Sequence, residues 1–507
     1  MVVRMRKLFL AVALSLACGK GAPDRTFPKT FLFGAAIAGF QVDMGCPTVA
    51  RAQCEDARSD WYDWITRPEL QQDPNTHLSG QPPTAGPGFY ELYDADIARA
   101  ARELHSNALR LSIEWSRIFP QPTYGVSDLR AAASPAALAY YHAVFASMKA
   151  HGLVPLVTLD HYTLPSWLHD AAGCHANLDA CTRRGWLDPR TVEEAERYAG
   201  FVAREFGGEV DLWATMNEPF TAVILAGYIF PSDARTNPPG VSLRWKEAKR
   251  VFAAMIEANA RMADAVRSND LVDATGGGFK ARVGIVYNLQ AVTPKNPASA
   301  RDVQAARDLG YLMNQMFLDG AFNGDLDLDW NGHPVHRAEL AGRMDFLGIN
   351  YYVRVVAEGL GGSLYPSESP LLTFNPFTLE QHWDDATGLG EVLDFARRYG
   401  KPLFITETGY QDPDDNGSGA RWIESTVREV RAAMGRGGDV QGYFYWTLMD
   451  NYEWNHGMTF RMGLYAVDPK DVTKARRARP AAVAAFARAA TERTALPAST
   501  APAPASR

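Results

Sequence analysis

The chain has 507 residues, a formal net charge of −7 at pH 7, and 47% apolar and 11% aromatic residues. This composition can build a large hydrophobic core, which excludes a chain that is disordered throughout. The negative charge, with no long basic run beyond the N-terminus, argues against nucleic-acid binding.

The first segment is predicted to be an export signal. Arg4, Arg6 and Lys7 precede the apolar run Leu8–Ala17, which is too short to span a membrane as a helix. Residues 1–17 therefore form a predicted signal peptide. Cys18, directly after Ala17, resembles a bacterial lipobox cysteine, which would be lipidated and become the mature N-terminus. We expect a periplasmic or outer-membrane-anchored lipoprotein; an ordinary cleaved signal of a secreted protein and a wrongly assigned start are the alternatives.

Strand-like and helix-like segments alternate through residues 27–488 with no linker between them. The predicted strands are Phe31–Phe33, Ala108–Ile113, Val154–Leu159, Val210–Met216, Val283–Tyr287, Phe346–Asn350, Leu403–Thr406 and Gly442–Trp446. The predicted helices are Tyr93–Leu104, Pro135–Ala150, Thr191–Phe206, Trp245–Arg267, Ala298–Asp319, Gly388–Tyr399 and Ala420–Met434. Eight strands separated by helices predict an α/β fold, a single (β/α)₈ TIM barrel with loop insertions. Residues 489–507, rich in Pro and Ala, are predicted to be a disordered tail.

Polar and aromatic side chains collect where the predicted strands end. They are Gln41, Arg110, His161, Asn217, Glu218, Asn350, Tyr352, Glu407, Trp446, Glu453 and Trp454. Taken alone, each is also compatible with a structural ion pair, a core histidine or a packing aromatic. Because the active sites of such barrels lie at the C-terminal ends of the strands, their common location predicts one site.

Two glutamates carry the chemistry that this site predicts. Glu218 follows the apolar run that begins at Leu212, and Glu407 follows the run that begins at Leu403. A pair of carboxyl groups can cleave a glycosidic bond, one as acid/base and one as nucleophile. In that assignment Glu218 protonates the leaving oxygen and Glu407 attacks the anomeric carbon. Arg110 is expected to pair with Glu407 and keep it ionised.

The five cysteines fit an oxidising compartment. With Cys18 set aside, four remain and allow three connectivities. The local pairing joins Cys46 with Cys54 and Cys174 with Cys181; four reduced thiols are the alternative. Neither pair has histidine partners at zinc-site spacing, so no metal site is predicted.

Five motifs follow one another along the chain: Phe27–Gly34, Asn107–Pro120, Thr215–Pro219, Asp345–Tyr352 and Gly442–Trp454. Together and in this order they resemble glycoside hydrolase family 1, a family of retaining β-glucosidases and β-galactosidases with a (β/α)₈ barrel. The likeness extends from residue 27 to about residue 467.

The resemblance implies a role for each residue of the predicted site. Glu218 would be the acid/base and Glu407 the nucleophile. Arg110, Asn350 and Tyr352 would support the nucleophile. The glycone, the non-reducing sugar of a small-molecule β-glycoside, would be bound by Gln41, His161, Asn217, Trp446, Glu453 and Trp454. No cofactor is implied, and the Glu453 carboxylate indicates an unphosphorylated glycone.

Three positions depart from the family pattern and leave the glycone preference open. Tyr162 stands where a Trp is usual, Thr408 where an Asn is usual, and Met462 where an aromatic residue is usual. We expect a β-glucosidase that tolerates galactosides or fucosides, and two other functions are alternatives. One is a non-catalytic carbohydrate-binding lipoprotein, and the other is a transglycosidase acting on a specialised aglycone.

Overall fold

The computed structural model describes residues 27–494, without the side chains of the last two. The predicted signal segment 1–17, Cys18 and residues 495–507 of the predicted tail lie outside it. Eight parallel strands close into a barrel, so the predicted TIM barrel is confirmed. The strands are β1 Leu32–Ala36, β2 Ala108–Ser112, β3 Val154–Asp160, β4 Leu212–Asn217, β5 Arg282–Asn288, β6 Phe346–Asn350, β7 Leu403–Glu407 and β8 Val440–Trp446.

The barrel strands are short apolar runs because both of their faces are covered. Outward side chains of the strands pack under the helices. A separate apolar cluster, with members from every barrel strand, fills the interior of the barrel. Phe346 and Phe404 meet there with ring centroids 5.1 Å apart. Gly348 lets two neighbouring strands approach, since a Cβ there would lie 2.8 Å from side-chain atoms of Thr406 and Val286.

One main helical segment follows each strand and covers the outside of the barrel. The helices are α1 Phe89–Arg102, α2 Pro135–Ala150, α3 Pro189–Phe206, α4 Trp245–Asn269, α5 Ala300–Gly310 continued by Met316–Asn323, α6 Gly388–Ala396, α7 Ser418–Gly435 and α8 Pro480–Thr491. A π-helical turn, Tyr311–Gln315, joins the two parts of α5. Ser134 and Asp188 cap α2 and α3 by accepting backbone N–H bonds, and a proline begins each of the two helices. Among residues 27–494, no helix is long and apolar enough to cross a membrane.

Smaller elements fill the loops. Short α-helices are Gly39–Asp43, Arg51–Cys54, Asp60–Thr66, Pro68–Gln71, Trp115–Ile118, Leu129–Ala132 and Ala171–Ala176, and Pro219–Ile229 is π-helical. The 3₁₀ turns are Pro74–Thr76, Pro83–Ala85, Gly185–Leu187, Ala338–Leu340, Arg397–Tyr399 and Trp454–Thr459. Small sheets pair Ala291–Pro294 and Glu380–His382 with Arg354–Ala357, Asp325–Leu326 with Val335–His336, and Tyr465–Val467 with Arg476–Ala478.

The two ends of the described chain meet at the N-terminal end of the barrel. Phe27–Pro28, just before β1, pairs in parallel with Arg493–Thr494. The backbone N–H of Phe27 donates to the carbonyl of Glu492 at 2.8 Å. Helix α8 continues to Thr491, with Ala490 fully buried. The folded part therefore extends past the predicted boundary at residue 488, to residue 494.

Two disulfides cross-link loops at the C-terminal end of the barrel. Cys46 is bonded to Cys54 in the β1–α1 connection, and Cys174 to Cys181 in the β3–α3 connection. The predicted local pairing is therefore confirmed. Both bridges lie in the loops that follow barrel strands, the region that also carries the predicted site.

Candidate active site

A cavity of about 570 Å³ opens at the C-terminal end of the barrel. Eight of the eleven predicted site residues line it: Gln41, His161, Glu218, Tyr352, Glu407, Trp446, Glu453 and Trp454. The other three, Arg110, Asn217 and Asn350, are fully or almost fully buried and hydrogen-bond to that lining. The structure thus brings the whole predicted set together.

Glu407, the last residue of β7, is held by two donors from other strands. Arg110 on β2 donates from Nη1 to Oε1 at 2.5 Å, and the Tyr352 hydroxyl donates to Oε2 at 2.7 Å. The same Arg110 also donates to the backbone carbonyl of Thr406 at 3.2 Å. Each carboxylate oxygen has its own donor, so the side chain is fixed in orientation.

Burial raises the pKa of Glu407 to about 7, and the negative charge of Glu218 adds to that rise. The charges and hydrogen bonds of Arg110 and Tyr352 oppose it without cancelling it. The expected ion pair with Arg110 is present, but it stabilises the ionised form of Glu407 less than burial destabilises that form. The pKa of Tyr352 is raised well above its ordinary value by burial and by Glu407, so its hydroxyl stays protonated and donates.

Glu218 lies at the end of β4, where the chain turns through a left-handed conformation with φ of 43°. Asn350 donates from Nδ2 to Oε1 at 2.7 Å, and the Tyr162 hydroxyl donates to Oε2 at 2.7 Å. Asn288 lies at 3.4 Å from Oε1. Asn350, implied by the resemblance to support the nucleophile, thus holds the other carboxylate. The Thr406 hydroxyl donates to Oδ1 of Asn350 at 2.8 Å, so the amide nitrogen of Asn350 faces Glu218.

The Asn217 side chain connects the two carboxylates. Its Oδ1 accepts from Arg110 at 2.7 Å and from Asn350 at 3.1 Å. Its Nδ2 donates to the Tyr162 hydroxyl at 2.8 Å and lies 3.2 Å from Nε2 of His161. The groups that orient Glu407 and Glu218 therefore share one amide, and a change at Asn217 reaches both.

The far end of the cavity carries a third carboxylate and aromatic rings. Gln41 donates from Nε2 to Oε2 of Glu453 at 2.9 Å. The His161 ring is nearly parallel to the rings of Trp446 and Trp454, with centroids 6.0 and 5.9 Å away. Burial, with the charges of nearby arginines, lowers the pKa of His161 well below its ordinary value, so the imidazole is neutral. Neutral rings beside a hydrogen-bonding carboxylate suit a sugar ring and its hydroxyls.

Sequence reasoning missed two contributors to this site. Arg235, in the β4–α4 connection, lines the cavity and donates to Glu453 at 3.0 Å. No motif surrounds it, so the sequence carried no signal for it. Tyr162 was noted only as a departure from the family pattern, and its bond to Glu218 depends on the β3 loop, where its φ is 74°. Within residues 27–494, no cluster of His, Cys, Asp or Glu could hold a metal ion.

Two buried carboxyl groups in one cavity, with a third carboxylate and aromatic rings beside them, are the arrangement expected of a glycoside hydrolase. A family model described as Glycosyl hydrolase family 1 matches residues 23–487. The chain belongs to this family and is a retaining β-glycosidase.

Individual relatives agree with this assignment. The chain is 34% identical to a β-galactosidase of Pyrococcus woesei, over 91% of this chain and 96% of the relative. It is 31% identical to a β-galactosidase of Saccharolobus solfataricus, over 87% of this chain and 91% of that relative. Among solved structures, the β-glycosidase from Thermosphaera aggregans is 29% identical with a TM-score of 0.77, covering 93% of this chain and 98% of that one. A β-glucosidase from Pyrococcus furiosus is 28% identical with a TM-score of 0.75, covering 92% of this chain and 97% of that one.

Proposed function

We propose that the protein is a β-glucosidase that also accepts galactosides or fucosides and releases terminal, non-reducing β-D-glycosyl residues. The observation that carries this proposal is Glu453, held by Gln41 beside His161 and Trp446 at the far end of the cavity. A fixed carboxylate accepts hydrogen bonds from sugar hydroxyls, and the rings contact the apolar face of a pyranose. Relatives named β-galactosidase and β-glucosidase support both activities.

The contacts of the two catalytic carboxyl groups support a double displacement. In the first step Glu407 bonds to the anomeric carbon, the bond to the aglycone oxygen breaks, and the Glu218 proton passes to that oxygen. In the second step Glu218 takes a proton from water, whose oxygen displaces Glu407 from the sugar. Arg110 and Tyr352 keep the attacking carboxylate aligned, and Asn350 and Tyr162 do the same for Glu218.

The mouth of the cavity supports an aglycone with an apolar face. Trp383 lines it with 46% of its surface exposed, and Gln381, which also lines it, lies on the short strand Glu380–His382 that Trp383 directly follows. An exposed tryptophan at a cavity mouth offers a stacking surface for a sugar or an aromatic ring. The non-catalytic alternative has no support, because both catalytic carboxyl groups are present and each is held by at least two donors.

We also propose that the protein is exported and anchored through a lipid on Cys18. Two disulfides support an oxidising compartment. A basic, then apolar segment followed by Cys18 supports the lipid anchor.

The direct test is the initial rate on a panel of aryl β-glycosides, with Glu407→Ala protein as the blank. Glucoside, galactoside, fucoside and mannoside would be compared, and the anomer first released would be identified by NMR. We expect the glucoside to be cleaved fastest with retention of configuration. A mannoside that is cleaved fastest would contradict the proposed glycone.

A further inference from the structure

Trp422, a buried residue of α7, lies outside the cavity lining but contacts two residues that adjoin the catalytic groups. Its indole Nε1 donates to the hydroxyl oxygen of Thr408 at 3.0 Å. Its ring is parallel to that of Tyr351, with 3° between the ring planes and 6.3 Å between the centroids. Thr408 directly follows Glu407, and Tyr351 directly precedes Tyr352. One side chain of an outer helix therefore contacts the chain beside the nucleophile and the chain beside its phenolic donor.

The backbone after Glu407 is also bonded to both neighbouring strands. The carbonyl of Glu407 accepts from the backbone N–H of Tyr351 at 3.0 Å, next to the end of β6. The carbonyl of Thr408 accepts from the backbone N–H of Trp446 at 3.0 Å, at the end of β8. These two bonds lie within the barrel wall. The bond from Trp422 comes from a helix outside that wall, so it adds a support in a different direction.

The hydrogen bond between Trp422 and Thr408 is a specific feature of this position. The Thr408 side chain is fully buried, and its hydroxyl is the group that accepts the indole proton. A buried indole in this protein is not always paired. Within residues 27–494, five other buried indoles have no hydrogen-bond partner, namely those of Trp61, Trp64, Trp115, Trp186 and Trp330. The structure thus pairs the indole that adjoins the nucleophile.

The two contacts of Trp422 bear on the relative position of the nucleophile and its donor. The Tyr352 hydroxyl donates to Oε2 of Glu407 at 2.7 Å. This distance depends on where the chain places Tyr351 relative to Thr408, and Trp422 contacts both. Because a displacement of about 1 Å can slow an enzymatic reaction by one or two orders of magnitude, such a support affects rate without touching substrate.

We propose that Trp422 is a positioning residue for the first chemical step, in which Glu407 attacks the anomeric carbon. Through Thr408 and Tyr351 it holds the Glu407 carboxylate and the Tyr352 hydroxyl in the arrangement that attack requires. The proposal rests on the proposed function, since this arrangement matters for rate only if Glu407 is the nucleophile. Because Trp422 does not line the cavity, its loss should lower kcat and leave KM unchanged.

The test removes the hydrogen bond from either side. Trp422→Phe keeps a ring against Tyr351 but loses the N–H donor, and Thr408→Val keeps the side-chain shape but loses the acceptor. On an aryl glucoside with a poor leaving group, for which the first step limits turnover, each change should lower kcat roughly tenfold. The combined variant should lose no more than either single one, because both remove the same bond. Thr408→Ser keeps the hydroxyl and should recover most of the kcat that Thr408→Val loses.

The pH profile separates positioning from a loss of stability. If the Tyr352 hydroxyl moves away from Glu407, the ionised carboxylate loses a donor, so the acid limb of kcat/KM should move to higher pH in Trp422→Phe.

A matched control is Trp213→Phe. Trp213 is fully buried near the start of β4, away from the cavity, and its Nε1 donates to Oδ2 of Asp270 at 2.9 Å. This variant also loses a buried indole bond, so it should lower the melting temperature but leave kcat and the acid limb unchanged.

The outcomes distinguish this inference from the proposed function. Wild-type kcat in Trp422→Phe and in Thr408→Val would overturn the inference and leave the proposed function standing. Losses that multiply in the combined variant would also overturn it, because the two side chains would then act independently. A rise in KM without a change in kcat would overturn it as well. If Trp422→Phe does not fold, the comparison of Thr408→Val with Thr408→Ser decides the same question. A wild-type protein that cleaves no aryl glycoside would overturn both proposals.

Discussion

The phenolic oxygen of Tyr162 lies 2.7 Å from Oε2 of Glu218 and donates a hydrogen bond to it. The same oxygen accepts from Asn217 at 2.8 Å. Burial and the Glu218 charge raise the pKa of Tyr162 well above its ordinary value, so the proton stays on the phenol. Tyr162 therefore orients Glu218, the residue that takes a proton from water in the proposed second step.

Replacing Tyr162 with Phe should weaken this support of the acid/base. Glu218 loses a donor that orients it as the base for water, so deglycosylation should slow roughly tenfold. Initial rates on an activated aryl glucoside, for which deglycosylation limits turnover, would measure this loss. Tyr124→Phe, at a hydroxyl outside the cavity lining, is the control. An unchanged kcat on this substrate would show that Tyr162 only packs.

The raised pKa of Glu407 should appear as the acid limb of kcat/KM. Only the ionised carboxylate attacks, and its pKa in the free enzyme is about 7, so kcat/KM should rise with pH through about 7. Tyr352→Phe removes a donor to the ionised form and should move this limb to higher pH. A pH series on both proteins tests this, and a limb that stays near the ordinary carboxyl value of 4.5 would contradict it.

Removing the Glu407 carboxyl group should abolish turnover and permit chemical rescue. Glu407→Ala leaves a space beside the anomeric carbon in which azide can act as the nucleophile. The product should be a glycosyl azide of inverted anomeric configuration, detected by NMR, from an activated aryl glycoside. Hydrolysis with retention by the Ala variant in the absence of azide would refute the nucleophile assignment.

Glu114 should make the folded state less stable as pH rises. It is buried just after β2 and accepts hydrogen bonds from Ser112 and Thr163, and burial raises its pKa to about 7 from 4.5. The folded state therefore holds its proton more tightly, and the stabilisation, complete below about pH 4.5, is lost as pH rises through about 7.

The difference between wild-type and Glu114→Gln protein in denaturant unfolding from pH 4.5 to 7.5 would measure this loss, on the order of 1–3 kcal/mol. Glu114→Gln should flatten the dependence, whereas Glu193→Gln, at an exposed position on α3, should not. Equal slopes for the wild type and Glu114→Gln would show that ionisation of Glu114 does not limit stability.

Reduction of the disulfides should lower the melting temperature. Each bridge closes a short loop, and such bonds contribute about 2–4 kcal/mol. Thermal melts with and without reductant would measure the loss. A double variant, Cys174→Ser with Cys181→Ser, isolates the second bridge from Cys46–Cys54, which follows the helix that carries Gln41. Unchanged melting in reductant would contradict a structural role for both.

The sequence predicted more of the barrel than of the contacts inside it. Alternating apolar runs placed α2 at Pro135–Ala150 and β6 at Phe346–Asn350 with the bounds that the structure has. The first strand was predicted as Phe31–Phe33 and lies at Leu32–Ala36, because Gly34 and the two alanines give little strand signal although the sheet covers them.

The position of a side chain at a strand end was predictable, but its partner was not. Asn350 and Glu407 lie opposite each other in the β6–β7 register, yet the Asn350 amide turns to Glu218. The orientation of this amide depends on the hydrogen bond from the Thr406 hydroxyl to Oδ1 of Asn350, and no spacing in the sequence predicts that bond. Arg235 escaped prediction for the same reason: only the folded loop brings it beside Glu453.

The pairing of Phe27–Pro28 with Arg493–Thr494 sets the direction in which an anchored enzyme would face. Any tether upstream of Phe27 joins the barrel at the end where its strands begin, and the cavity opens at the other end. A lipid on Cys18 would hold the closed base of the barrel toward the bilayer. Substrates would then enter from the aqueous side, and bulky glycosides would reach Trp383 without competition from the membrane surface.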